Sequence, residues 1–152
     1  MNTGLLQFHV LLRWVLLLLL IAVLAKAFMG RKGGKVFGPG DRKLSLFTMI
    51  TAHLQLVFGV ILYMISPKVH IAIANMGAAM KNAPMRFWAV EHLSMMLLAI
   101  AFLTIGHIKA KKAGTDAGKF SAQFLWFGLG LLLILLAIPW PFREVGAGRG
   151  WF

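Results

Sequence analysis

Apolar residues fall into four long runs along the chain, with the polar residues confined to the gaps and to a few isolated positions inside the runs. The first run, Leu5 to Phe28, is interrupted by Gln7, His9, Arg13 and Lys26. The second extends from Arg42 to Ile65 and stops at Ser66-Pro67; the third opens near Pro84 and closes on Lys109, Lys111 and Lys112; the fourth covers Phe120 to Ile138. At about 1.5 Å per residue, each helix is long enough for a hydrocarbon core of roughly 30 Å. The pattern predicts helices over about residues 4–28, 42–65, 84–112 and 119–138, joined by short turns into an all-α, up-down, integral membrane four-helix bundle.

The gaps carry their own signals. Gly30, Gly33, Gly34, Gly38, Pro39 and Gly40 make the first a loop, with Asp41 as the expected cap of the second helix. Lys68 to Ala83 is too short and too broken to cross, and predicts a surface helix with Ile71, Ile73 and Met76 facing lipid. Asn82 before Pro84 starts the third helix. Pro139-Trp140-Pro141 ends the fourth, in which Gly128 and Gly130 mark a packing face. The length of the first run, with no basic stretch ahead of it, argues for a retained spanning helix over a cleaved signal peptide.

Composition agrees: 152 residues, 60% of them hydrophobic, form a single transmembrane domain over 1–152. The absence of cysteine excludes disulfides, thiolate metal sites and thioether-attached haem. A net charge of +12 would suggest nucleic acid in a soluble protein, but here the basic residues lie between apolar runs, so the expected partner is the lipid bilayer and not nucleic acid. Lys26, Arg31, Lys32, Lys35, Arg42 and Lys43 share one side with Lys109, Lys111, Lys112 and Lys119, against Lys68, Lys81, Arg86, Arg143 and Arg149 on the other. The positive-inside rule then places those ten in the cytoplasm and both termini on the outer side, periplasmic if the membrane is a bacterial inner one, in a multi-pass protein.

Ionisable groups inside the runs are costly in hydrocarbon and mark a site by default. They are His9 and Arg13 in the first helix, His53 in the second, and Glu91, His92 and His107 in the third, with Arg86 at its mouth. From each helix's outer end His9 lies about 9 Å deep, His92 about 12 Å, His53 about 18 Å and His107 more than about 30 Å. His9 and His92 are thus level, on helices that sit diagonally in an up-down bundle. Two imidazoles facing across a core suit a haem, a flat apolar ring whose iron takes one histidine from each side. Arg13 or Arg86 would meet the propionates, and Trp88, Met95, Met96 and Ala99 would line the ring edge. His53 is expected to face inward with Met49, Ile50, Leu56, Val57 and Val60, with Gln55 turned elsewhere, while Gly59 admits a close neighbour or a flat ligand. His53 with His107 would make a second pair and a second haem, at unequal depth.

Other readings remain open on the same residues. His9, His53 and His92 with Met49, Met95 and Met96 would also make a copper site for metal transport or insertion. Arg13 and Glu91 would pair as a structural ion pair, and the histidines of a structural subunit in a larger membrane complex would simply be hydrogen-bonded. His70 reads as a solvated loop residue.

HVLLRW around His9, TAHLQLVFGVILY around His53, VEHLSMM around His92 and IPWPFR before a GRGWF end together resemble a family of short four-helix bacterial membrane proteins described as cytochrome b, a label akin to the di-haem cytochromes b561. The resemblance spans essentially the whole chain and makes His9, His53 and His92 the motif histidines; His107 lies outside any matching motif. It implies a membrane b-type haem. Beside it, the residues themselves suggest electron transfer between membrane quinol and a redox partner protein, with Glu91 near the outer surface as a proton or quinone contact. A homo-oligomer is compatible with it.

Overall fold

A computed structural model describes residues 3–148 and residue 151. Its long helices are α1 (Thr3–Gly30), α2 (Pro39–Ile65), α6 (His92–Lys112) and α7 (Asp116–Ala137). Three short helices, α3 (Pro67–Ala74), α4 (Met76–Lys81) and α5 (Ala83–Arg86), lie between α2 and α6, and a single π-helical turn over Phe87–Glu91 joins α5 to α6. The described residues contain no strand. Four helical segments are long and apolar enough to cross a membrane: Gly4–Gly30, Pro39–Ile65, Ala83–Lys112 and Asp116–Ala137. The chain is an all-α, multi-pass membrane protein.

Local chemistry sets the helix ends. α2 starts three residues before Arg42, because Pro39 takes the first helical position, where its missing N–H costs nothing. Asp41 is therefore inside the first turn, where its Oδ2 accepts the Gly38 N–H at 3.0 Å and its Oδ1 meets Lys26 Nζ of α1 at 2.7 Å. Ser66 ends α2, since Pro67 cannot continue it and instead opens α3. Asn75, Asn82 and Thr115 cap α4, α5 and α7 through side-chain oxygens that accept the N–H of Ala78, Met85 and Gly118. The α7 cap brings four residues into that helix ahead of Phe120, where the apolar run begins. On α3, Val69 and Ala72 turn toward the bundle, leaving Ile71 and Ile73 exposed, with Met76 of α4 exposed beside them.

α1 packs chiefly on α2 and α7, and α6 packs on the same two, so α1 and α6 are diagonal. Leu16, Leu20, Ala52, Ala99, Leu103, Phe127 and Ile134 meet in the core between them. The closest approach is that of α6 and α7. A Cβ added to Gly130 would lie 2.7 Å from Leu103 Cδ2, and one added to Gly106 would lie 2.7 Å from Trp126 Cβ. These glycines let two backbones meet where no apolar solvent force drives them together.

The last carbonyls of α7 have no helical partners, and side chains from the following turn supply them. Trp140 Nε1 donates to Leu135 O at 2.9 Å, and Arg143 Nη1 donates to Leu136 O and Ile138 O. His92 Nδ1 donates to Ala137 O at 2.7 Å. The IPWPFR segment therefore closes one end of the bundle, and α6 contributes a histidine to the closure.

Candidate functional site

The polar face of α2 decides the site. Ser45, Thr48, Ala52, Gln55 and Leu62 are its buried residues, a stripe of mostly small or polar side chains spaced by three, four or seven. Ile50, Leu54, Val57, Val60 and Ile61 are exposed, as the lipid-facing surface of a spanning helix should be. Of the face expected to turn inward, His53, Ile50, Val57 and Val60 thus point outward, and Leu56 remains on the inner side. His53 lies on the outer face, where its Nδ1 donates to Met49 O at 2.8 Å within its own helix. Gln55 points into the bundle instead. Bulky apolar residues beside His53 match lipid, whereas small and hydrogen-bonding residues are what neighbouring helices accept.

Between α1, α2 and α6, at the end of the bundle closed by IPWPFR, lies a cavity of about 480 Å³. α1 lines it with Leu6, His9, Val10, Arg13 and Leu16; α2 with Gln55, Leu56, Gly59, Leu62 and Tyr63. Trp88 of the π-turn and His92, Met96 and Ile100 of α6 form the facing wall, one helical turn apart from His92 onward. Lys68 and Val69 of α3 and Ile134, Ile138 and Pro139 close it. His9 and His92 are brought to one cavity from diagonal helices, with Arg13 on the same wall. Of the residues expected at the ring edge, Trp88 and Met96 line the cavity, while Ala99 is buried in the packed core.

His92 is held on three sides. Its Nδ1 donates to Ala137 O, so the lone pair of the ring sits on Nε2. Phe87 and Trp88 lie against it, with ring centroids at 5.7 and 5.8 Å. The π-turn just before it widens the helix by one residue, a device common at functional sites. Tyr63 Oη donates to Ala89 O at 2.7 Å and pins that turn to α2.

His9 is held by α2. The Gln55 amide nitrogen lies 3.0 Å from His9 O and 3.3 Å from His9 Nε2. Gly59 lets the imidazole approach the α2 backbone edge-on, since a Cβ there would stand 3.1 Å from His9 Cε1 and 3.9 and 4.0 Å from its two ring nitrogens. His9 Nδ1, Arg13 Nε and Gln55 Oε1 are buried with no hydrogen-bond partner among the described residues. All three residues line the cavity. Arg13 also reaches outward, where Nη2 donates to Trp151 O at 2.8 Å, and Trp14 Nε1 donates to the same carbonyl at 3.1 Å. Trp151 thereby joins Trp140 and Phe142 over this end of α1.

The other expected site residues lie elsewhere. Arg86 Nε pairs with Glu91 Oε1 at 2.6 Å, and Arg86 Nη1 donates to Met80 O; neither side chain lines the cavity. The five-residue spacing across the π-turn brings that pair together, so Glu91 is matched by Arg86 rather than by Arg13. His107 is near the opposite end of α6, where its Nδ1 is 3.0 Å from Ser45 Oγ. His70 Nε2 donates to Met64 O at 2.6 Å. His53 and His107 do not share a site, and the three-histidine copper set is not assembled. Among the described residues no three His, Cys, Asp or Glu side chains gather to hold a metal ion.

Gln55, Lys68 and Tyr63 are the site residues missed by reading histidines alone. The stripe of Ser45, Thr48, Ala52, Gln55 and Gly59 was a legible signal for the first. Lys68 and Arg13 make the lining cationic, with no carboxylate among its residues. Comparison with protein-family models, curated proteins and solved structures returns no match to this chain.

Proposed function

We propose that this protein is a b-type cytochrome of a bacterial inner membrane, holding haem in the cavity between α1 and α6 and passing electrons from quinol to a redox partner. The observation that carries the reading is the pairing of His9 and His92 on the walls of one cavity, from diagonal helices. A cavity of about 480 Å³ is in the range of those that take cofactors and other small ligands.

The residues fit the group. His92 would ligate iron through Nε2, with the bond from Nδ1 to Ala137 O fixing its tautomer and raising its basicity. His9 faces it from the opposite helix. Arg13 and Lys68 would meet the acidic substituents of the ring, as charge-assisted partners at a wet rim. Leu16, Leu56, Leu62, Met96 and Ile100 exclude water and lower the dielectric around the ring. When bound, haem supplies a one-electron couple, and these residues set its potential and access. Orientation with the termini on the periplasmic side follows from the basic loops after α1 and α6.

The test is colour. Protein extracted from membranes after expression with ample haem should show a Soret band, lost in His92→Ala and kept in His53→Ala. Colourless wild-type protein would end the haem reading.

A further inference from the structure

The haem reading assigns no role to Gln55, yet this side chain is 8% exposed and makes the closest polar contacts to His9. A carboxamide nitrogen only donates hydrogen bonds, so His9 Nε2 must accept from it. The His9 proton is then on Nδ1, which is buried without a partner among the described residues. His92 has a different anchor: its Nδ1 proton goes to a backbone carbonyl, and its lone pair lies on Nε2. The two cavity histidines therefore carry the same tautomer but are restrained at opposite nitrogens. His92 is restrained at Nδ1, the nitrogen a ligand does not use; His9 is restrained at Nε2, the one it normally does.

We infer that Gln55 is a positioning residue that holds His9 against α2 and so withholds its imidazole from the iron of a haem in this cavity. The inference rests on the haem reading of this cavity. Gln55 binds two atoms of His9, the backbone carbonyl and the ring, so the amide cannot follow the imidazole away from α2. Gly59 supplies the recess that accepts the ring in this position. With His9 held there, His92 is the single strong protein ligand. A haem bound here would then remain open to a small exogenous ligand. His9 Nδ1 and Arg13 Nε are themselves buried and do not reach that ligand.

The experiment compares haem-loaded wild type, Gln55→Leu and His9→Ala by absorption and electron paramagnetic resonance, with carbon monoxide and cyanide as the exogenous probes. Wild type should show a substantial high-spin fraction and should bind both probes. Gln55→Leu should shift the low-spin to high-spin ratio upward by about tenfold, the effect of losing one hydrogen bond to His9, and should weaken probe binding to match. His9→Ala should retain haem in the high-spin form and bind both probes as wild type does. Fully low-spin wild-type protein that is unaltered in Gln55→Leu would overturn the inference and leave the haem reading intact. Absence of any Soret band removes both. A second measurement needs no haem: ¹⁵N spectra of histidine-labelled apoprotein should show the His9 proton on Nδ1 in wild type and a redistributed proton in Gln55→Leu. A His9 proton already on Nε2 in wild type also overturns the inference.

Discussion

Replacing His92 and His53 by alanine removes the same imidazole from two very different places, and the contrast tests the site directly. His92→Ala leaves Ala137 O without its side-chain donor at the end of α7 and strips the ring from its contacts with Phe87 and Trp88. An unmade hydrogen bond at a helix end and two lost ring contacts together cost about 2–4 kcal/mol. His53→Ala removes an outward-facing ring whose recorded bond goes to its own helix, at Met49 O. The surrounding surface is apolar, so alanine there should change stability by less than about 0.5 kcal/mol. Unfolding of the haem-free protein in a detergent titration, followed by circular dichroism, measures both. Haem retention is read on the same samples from the Soret band: His92→Ala should lose it and His53→Ala should keep it. If His53→Ala abolishes haem binding while His92→Ala retains it, the inward face of α2 has been assigned wrongly and the cavity is not the haem site.

Other consequences are simpler to check. Gly130→Leu forces a side chain into Leu103 at the tightest crossing of α6 and α7, and should destabilise the bundle by about 1–3 kcal/mol in the same titration. His107→Ala removes the partner of Ser45 near the far end of α6 and should leave the haem content unchanged, because that residue is outside the cavity. Arg13→Ala leaves the Trp151 carbonyl to Trp14 Nε1 alone and should speed hydrogen exchange and proteolysis of the tail after Phe142, while Arg13→Lys restores only part of the protection, a single ammonium replacing the forked donor. Alkaline phosphatase fused at Phe152 should be active and fused at Gly114 silent; the opposite result would reverse the direction of all four spans.

Much of the fold was legible because a bilayer demands so little information. A run of apolar residues as long as Leu5–Phe28 or Phe120–Ile138 has no use for a folding partner to become helical, since backbone groups in hydrocarbon must bond internally. Short loops then force neighbouring spans to be antiparallel, which is why the diagonal placement of His9 and His92 could be worked out from helix order and depth. Helix starts were less legible. Pro39 and Thr115 open α2 and α7 ahead of their apolar runs, because capping and proline chemistry, and not hydropathy, choose the first residue.

What the chain determined by itself was the set of four membrane spans, their order, and the presence of costly histidines within three of them. Tertiary structure decided which way each helix faces. In a soluble helix one face is apolar and the period reveals it; in a spanning helix both faces are apolar, and the inward one is marked only by small and polar residues. On α2 that criterion selects Gln55, two positions or about 200° around the helix from His53, and Gly59 on the same side as Gln55. The π-turn at Phe87–Glu91 is likewise invisible in hydropathy, yet it pairs Arg86 with Glu91 and immediately precedes His92. The same holds for Lys68, Trp151 and the Ala137 carbonyl, which reach the site or its rim through chain reversals whose packing no local pattern encodes. Local sequence specifies hydrogen-bonded helices one at a time; a site shared by side chains from several of them exists only after those helices have packed.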